Sequence, residues 1–444
     1  MKKLEKRAIL CLLLAAVLFF GVGFFCYRFV TQGADWALFY ANQSIYDEGH
    51  LANGNIYDVD GDVLLQSDEG ELSYSDDENI RRATLHAVGD MNGSISTGAL
   101  SAFRSEIVGY SLLTGTYSLG GKGHDVTLTI DDEISKVAYE ALGSYHGCVG
   151  VYNYETGEIL CMVSSPGFDP EYPPSSEEEE SGMYLNKFLS SRMVPGSIFK
   201  TVTAAAALET YENVDDWSFE CDGDLEINGE EITCIRAHGT VDLEGAVAHS
   251  CNCGFGDLTV KIGAQNMEKY VEKLGLTRSY NIDGIENLEG SFAFPDDADL
   301  NLAWAGIGQY NDELNPCSMM VYMGAIAGGG EAAEPKLRHS ALSVTSKTGR
   351  MIEEETAEEL TTMMKAAVED SYGSWNFPDL DIYAKSGTAE VAGRDPNAMF
   401  TGFIKNENAP YAFIVCVEDG GYGSSVAAPI ANAVLQAAVE RTEE

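Results

Sequence analysis

Basic residues are scarce in this chain. Lys and Arg number 27 against 70 Asp and Glu, a formal net charge of −43 over 444 residues. Proteins hold nucleic acid by neutralising phosphates, so a chain this acidic excludes DNA or RNA as its main ligand. Internal repeats are also lacking, and a repeat architecture is set aside. What is present is a composition that folds: 45% of the residues are hydrophobic, too many for a disordered protein. The length allows two domains, one small and one large.

The few cations are unevenly placed. Lys2, Lys3, Lys6 and Arg7 against Glu5 give residues 1–27 a charge of +3, which leaves −46 for the rest. Residues 8–26 form an uncharged apolar run of nineteen, enough to span a bilayer. The basic flank predicts a cytoplasmic N-terminus and an exported bulk. No small-x-small cleavage pattern follows Cys26, so an uncleaved single-pass anchor is expected rather than a signal peptide.

Eight of the ten cysteines lie beyond the anchor. Cys221 and Cys234 bracket a short acidic hairpin-like segment, and an oxidising exterior would permit a disulfide there. His249, Cys251 and Cys253 invite a metal reading. Their i, i+2, i+4 spacing does not place all three on one helical face, and no matching ligand pair follows, so no metal or cofactor is expected.

The chain divides into a tail and anchor (1–27), a membrane-proximal region (28–140) and a large domain (141–444). Ile56-Tyr57-Asp58 opens an alternating segment with an Asp-Gly turn, a hairpin pattern. Strand-like runs at 147–153 and 158–164 flank Glu155-Thr156-Gly157. The acidic stretch 170–182, with Glu177-Glu178-Glu179-Glu180, reads as a solvated, mobile insertion. Helical patterns cover 198–210, 254–274, 316–327 and 356–369. Strands follow at 381–392, 399–405 and 410–417, then a helix at 427–441. Two strands, then helices, then three strands and a helix predict an α+β fold, one antiparallel sheet covered by helices on both faces.

Ser-x-x-Lys occurs once, as Ser197-Ile198-Phe199-Lys200 after Pro195-Gly196. Pro-Gly followed by a helical run places the pair at a helix N-terminus, and the i, i+3 spacing puts both side chains on one face. Serine is a weak nucleophile alone; a partly buried, neutral lysine can take its proton. Ser-x-Asn occurs three times, at Ser250-Cys251-Asn252, Ser279-Tyr280-Asn281 and Ser374-Trp375-Asn376, and the turn and helix leading into Ser250 favour the first. Lys385-Ser386-Gly387-Thr388 lies within a strand pattern. A second triplet, Lys347-Thr348-Gly349, has turn-like surroundings and is set aside.

Ser-x-x-Lys, Ser-x-Asn and Lys-Ser/Thr-Gly in this order resemble the active-serine penicillin-recognising enzymes. Thr156-Gly157-Glu158-Ile159-Leu160, Ser165-Pro166-Gly167-Phe168-Asp169-Pro170 and Gly308-Gln309 with Asn315-Pro316 are similar to further family segments, although Tyr310 stands where a third Gly is usual. The anchor and the Ile56-Tyr57-Asp58 segment further resemble class B penicillin-binding proteins. Ala52-Asn53-Gly54 departs from the Arg-Gly usual before that segment, and no glycosyltransferase domain is evident.

The resemblance implies a penicillin-binding transpeptidase fold behind a single transmembrane helix and a small membrane-proximal pedestal. It implies cross-linking of peptidoglycan stem peptides by D,D-transpeptidation at D-Ala-D-Ala and covalent inhibition by β-lactams. Ser197 is then the nucleophile and Lys200 its base. Ser250 relays a proton to the leaving amine, and Asn252 hydrogen-bonds Lys200 or the substrate amide. The N–H groups of Ser197 and Thr388 form the oxyanion hole. Lys385, Ser386 and Thr388 bind the terminal carboxylate, and Gly387 lets the substrate approach the strand. A SEDS-type membrane glycosyltransferase is the implied partner. A D,D-carboxypeptidase or β-lactamase would use the same chemistry with water as acceptor. A non-catalytic scaffold could keep the fold with damaged motifs, but all three motifs are intact.

Overall fold

In the computed structural model, residues 2–37, 53–68, 71–110, 123–296, 299–340 and 344–443 are described. The chain forms two compact units. The smaller comprises Met1–Ile56, Leu65–Ser73 and Phe103–Val126; the larger comprises Tyr57–Leu64, Tyr74–Ala102 and Thr127–Glu444. Ala52 of the departing Ala52-Asn53-Gly54 segment lies outside the described residues.

In the smaller unit the helix Lys2–Ala37 carries the apolar run, and it is the one helix among the described residues long and apolar enough to cross a membrane. Its large apolar side chains, such as Leu12, Leu18, Phe19 and Phe20, are exposed.

The larger unit is built on a five-stranded antiparallel sheet. Its strands are β1 (Gly147–Asn153), β2 (Ile159–Ser165), β3 (Ile382–Ala389), β4 (Asn397–Ile404) and β5 (Tyr411–Val417). The spatial order is β3-β4-β5-β1-β2, so the strands formed first and last in the chain meet at the β5–β1 pair. Every residue of β4 and β5 is buried, which suits their β-branched and aromatic content and their central positions.

The helices of the larger unit include α1 (Asp132–Leu142), α2 (Lys200–Thr210), α3 (Leu243–Ala248), α4 (Asn252–Ile262), α5 (Pro316–Ala327), α6 (Glu354–Ala367) and α7 (Ala427–Glu443). One sheet face packs Val149, Phe413 and Val415 against Ile134 and Ala138 of α1 and Ala431 and Leu435 of α7. The other face meets α5, which is buried along all but its last residue. Asn315 starts α5 by accepting the Ser318 N–H at 3.2 Å, with Pro316 in the first turn.

The expected α+β architecture is therefore present, with two local differences. The helix predicted over 254–274 is two helices, α4 and Ala264–Lys273, broken at Gly263 (φ 83°). The helix predicted over 356–369 begins at Glu354 and runs into a π-turn, Val368–Tyr372.

Candidate active site

The nucleophile segment differs in one detail from a simple helix start. Gly196–Phe199 is a 3₁₀ turn, and Lys200 begins α2 directly after it. Ser197 is half-buried and Lys200 fully buried. The Lys200 Nζ lies within hydrogen-bond distance of Ser197 Oγ at 3.1 Å, Ser250 Oγ at 3.0 Å, Ser250 C=O at 2.8 Å and Asn252 Oδ1 at 2.6 Å. Burial pushes its pKa well below the ordinary lysine value, and the neighbouring Lys385 charge pushes the same way. A neutral amine 3.1 Å from a serine hydroxyl is placed to take its proton.

Ser250 and Asn252 are set by a helix end and a helix start. After α3 the chain closes with the Ser250 N–H on Val247 C=O and the Cys251 N–H on Ala246 C=O. This double bond pattern is the Schellman cap, which requires a left-handed residue at its turn. Ser250 supplies it at φ 53°, where glycine is usual. Cys251 then caps α4, its Sγ accepting the Gly254 N–H at 3.3 Å. Asn252 is held from behind, donating Nδ2 to Thr233 C=O at 2.8 Å, which leaves Oδ1 facing Lys200.

β3 forms the third wall and is an edge strand. Off its free side, the Ser386 N–H reaches Tyr372 Oη at 2.9 Å and the Glu390 N–H reaches Gln309 Oε1 at 3.3 Å. By strand alternation the Thr388 N–H between them points the same way, toward the nucleophile turn. The approach is close: a Cβ on Gly196 (φ 53°) would stand 2.8 Å from Thr388 O. The space at Gly387 is taken up by that same turn, with Pro195 O and Ile198 Cγ2 each 3.0 Å from where a Cβ would be. Lys385 is fully buried, and burial pushes its pKa down to about 7. Its Nζ lies 3.1 Å from Ser386 C=O and 3.5 Å from Tyr372 Oη.

Thus Ser197, Ser250 and Asn252 converge on the Lys200 amine, and the strand carrying Lys385, Ser386, Gly387 and Thr388 packs beside the nucleophile turn. Lys347 and Gly349 of the other lysine triplet are exposed. Sequence reading missed Tyr372, which occupies the β3 edge at Ser386. Its one signal is the tyrosine at the end of a helix pattern, and nothing in that pattern announces the π-turn that aims it. The reading also left a Cys221–Cys234 disulfide open. The structure leaves them unbridged, with the sulfurs 3.8 Å apart.

Comparison with known proteins agrees with this geometry. Residues 147–436 match the family model for the penicillin-binding protein transpeptidase domain. The chain is 27% identical over 363 residues to the peptidoglycan D,D-transpeptidase PbpA of Mycobacterium tuberculosis, covering 72% of this chain and 73% of that protein. It is 27% identical over 348 residues to stage V sporulation protein D of Bacillus subtilis, covering 71% of this chain and 53% of that one. Among solved structures, the ceftriaxone acyl-enzyme of M. tuberculosis penicillin-binding protein A superposes with a TM-score of 0.78 at 23% identity, over 88% of this chain and 99% of that one.

Proposed function

The chain belongs to the penicillin-binding protein transpeptidase family, in its class B branch, and we propose that it cross-links peptidoglycan through a serine acyl-enzyme. The observation that carries this reading is the buried Lys200 amine, bonded at once to Ser197, Ser250 and Asn252. Lys200 takes the Ser197 proton as Oγ attacks the carbonyl of the D-Ala-D-Ala peptide bond. The oxyanion is received by the N–H groups of Ser197 and Thr388, each such donor being worth about a hundred- to a thousandfold in rate. The proton passes by Lys200 and Ser250 to the departing D-Ala amine, and the C–N bond breaks. An amine from a neighbouring stem peptide then attacks the ester, and the same groups return the proton to Ser197.

Lys385, with the hydroxyls of Ser386 and Thr388, suits the terminal carboxylate of the stem peptide and of a β-lactam. The donor peptide adds along the β3 edge, where no strand pairs and where Tyr372 and Gln309 hold the Ser386 and Glu390 N–H groups. A fluorescent penicillin should label the protein covalently, and mass spectrometry should place the adduct on Ser197. Persistent labelling of Ser197→Ala would remove the assignment.

The N-terminal helix anchors the enzyme, with its basic end in the cytoplasm and the catalytic unit outside. Residues 28–140 act as the pedestal region, and a SEDS-type glycosyltransferase is the membrane partner. Co-purification in detergent tests that partner: recovery with a SEDS protein of the host supports it, and failure with all of them counts against it.

A further inference from the structure

Four donors from four separate segments meet beside the Ser250-Cys251-Asn252 turn. Cys221 ends the strand Phe219–Cys221, Cys234 follows the hairpin formed by Asp224–Ile227 and Glu230–Thr233, His238 precedes the strand Gly239–Val241, and Cys251 caps α4. Their ligand atoms all lie within 4.8 Å of one another. Cys221 Sγ is 3.8 Å from Cys234 Sγ and 3.5 Å from His238 Nδ1, and Cys234 Sγ is 3.8 Å from Cys251 Sγ.

These are the edges of a metal-sized tetrahedron. With Zn–S bonds of about 2.3 Å and Zn–N bonds of about 2.0–2.1 Å, tetrahedral angles set S···S edges at about 3.8 Å and S···N edges at about 3.6 Å. A disulfide would instead bring two sulfurs to about 2.0 Å and leave the other two donors unused. The second layer fits as well. The Gly254 N–H points at Cys251 Sγ (3.3 Å) and the Cys253 N–H at Cys234 Sγ (3.4 Å), donors that suit thiolates. Backbone bonds from Cys234 N–H to Gly223 C=O and from His238 N–H to Cys221 C=O fix the ligand-bearing segments to each other.

We propose that Cys221, Cys234, His238 and Cys251 bind one Zn²⁺ as a closed structural site that holds the Ser250-Cys251-Asn252 turn in its working position. Three thiolates and one imidazole form a soft, tetrahedral donor set, which favours zinc over calcium or magnesium. Four protein ligands leave no position for water, so the ion takes no part in the acyl transfer. Its reach into the active site is short. Cys251 lies between Ser250 and Asn252, and Thr233, whose carbonyl holds the Asn252 amide, precedes Cys234. Zinc therefore ties down Ser250 and Asn252 at once.

The ligand set differs from the one that local spacing suggests. Cys253 stays outside it, with its Sγ 3.4 Å from Ile232 C=O and 3.4 Å from Cys234 Sγ. His249 also stays outside and stacks on His238, ring centres 5.9 Å apart.

The test uses the full-length protein in detergent under reducing conditions, with Zn²⁺ and Co²⁺ as probes. Elemental analysis after zinc loading and desalting should give about one zinc per chain. Cobalt should give the intense visible and near-ultraviolet bands of a tetrahedral thiolate site. Cys253→Ser should keep both signals, whereas Cys221→Ser and Cys234→Ser should each lower zinc retention at least tenfold. Removing the metal from the unaltered protein with a chelator should slow acylation by labelled penicillin at least tenfold, and added zinc should restore it. Less than a tenth of an equivalent in the zinc-loaded unaltered protein, or loss through Cys253→Ser with retention in Cys221→Ser, would overturn the site. A metal that binds but leaves acylation unchanged on removal would overturn its positioning role. Metal content is read independently of penicillin labelling, so failure of the site and failure of the transpeptidase reading are distinguishable.

Discussion

Ser250 shows the site competing with the fold at a single residue. Its left-handed backbone costs on the order of 1 kcal/mol relative to glycine, yet the hydroxyl 3.0 Å from Lys200 requires a side chain. Ser250→Gly relieves that strain and adds freedom to the unfolded chain, two effects of opposite sign. Its stability in a denaturant titration should stay within about 1 kcal/mol of the parent. Acylation by penicillin should nevertheless slow by about a hundredfold or more, as for loss of a proton-transfer group. The two lysines set the pH dependence. Lys200 acts when neutral, and its lowered pKa puts the rising limb of the acylation profile below the ordinary lysine range. Lys385 binds carboxylate when charged, and loses its proton as pH rises through about 7. The second-order acylation constant should therefore be bell-shaped, with a falling limb near pH 7 that moves upward in Lys385→Arg, because guanidinium keeps its charge. A falling limb that stays in place in that variant would assign it to another group.

At the scale of elements, the nucleophile turn is wedged between the β3 edge and the Gly308 loop. Gly308 sits at φ 74°, bonds its carbonyl to the Gly196 N–H at 2.9 Å, and would place a Cβ 2.4 Å from Gly196 O. Gly308→Ala adds a left-handed strain of about 1–2 kcal/mol to a backbone clash. The turn must shift to relieve it. Thermal unfolding should come several degrees lower and acylation should fall at least tenfold; unchanged values for both would show that the wedge is soft. These elements were unequally legible in sequence. The five strands and α5 stood out because turn residues bound them and their lengths separate strand from helix. Ser197 and Lys200 were legible because i, i+3 spacing is a local fact that survives the change from α to 3₁₀ turn. Gly263 was read through, since one glycine in a helical pattern need not break it, and only φ 83° shows that it does. Tyr372 was hidden because a π-turn shifts the face of a helix by geometry that residue periodicity does not encode. The cysteine–histidine cluster was hidden for a related reason. Its ligands lie 13, 4 and 13 residues apart, at a strand end, after a hairpin, before a second strand and at a helix cap, so no single helical face or finger-like spacing brings them together.

Over the whole molecule the dominant imbalance is charge. Beyond residue 27 the chain carries −46, and its catalytic amines, Lys200 and Lys385, are both fully buried. Two opposing terms depend on salt. Surface ion pairs such as Arg394–Asp419 and Lys365–Asp381 are weakened by screening, but exposed pairs contribute only about 0–1 kcal/mol each. Repulsion among the surplus carboxylates acts between many more groups, since 27 cations can neutralise only 27 of 70 negative charges. Raising salt from about 0.01 M to about 1 M shortens the Debye length from about 30 Å to about 3 Å, which removes most repulsion between exposed charges. The repulsive sum is the larger, because it is unpaired and long-ranged whereas each pair is worth little. Sodium chloride should therefore raise the unfolding midpoint, most steeply in the low-salt range where the Debye length spans several carboxylates. The rise should shrink as pH is lowered toward the pI of about 4.3, where protonation removes the surplus charge that salt screens. A midpoint that falls with sodium chloride at neutral pH would mean that paired networks, not net charge, govern the stability of the folded chain.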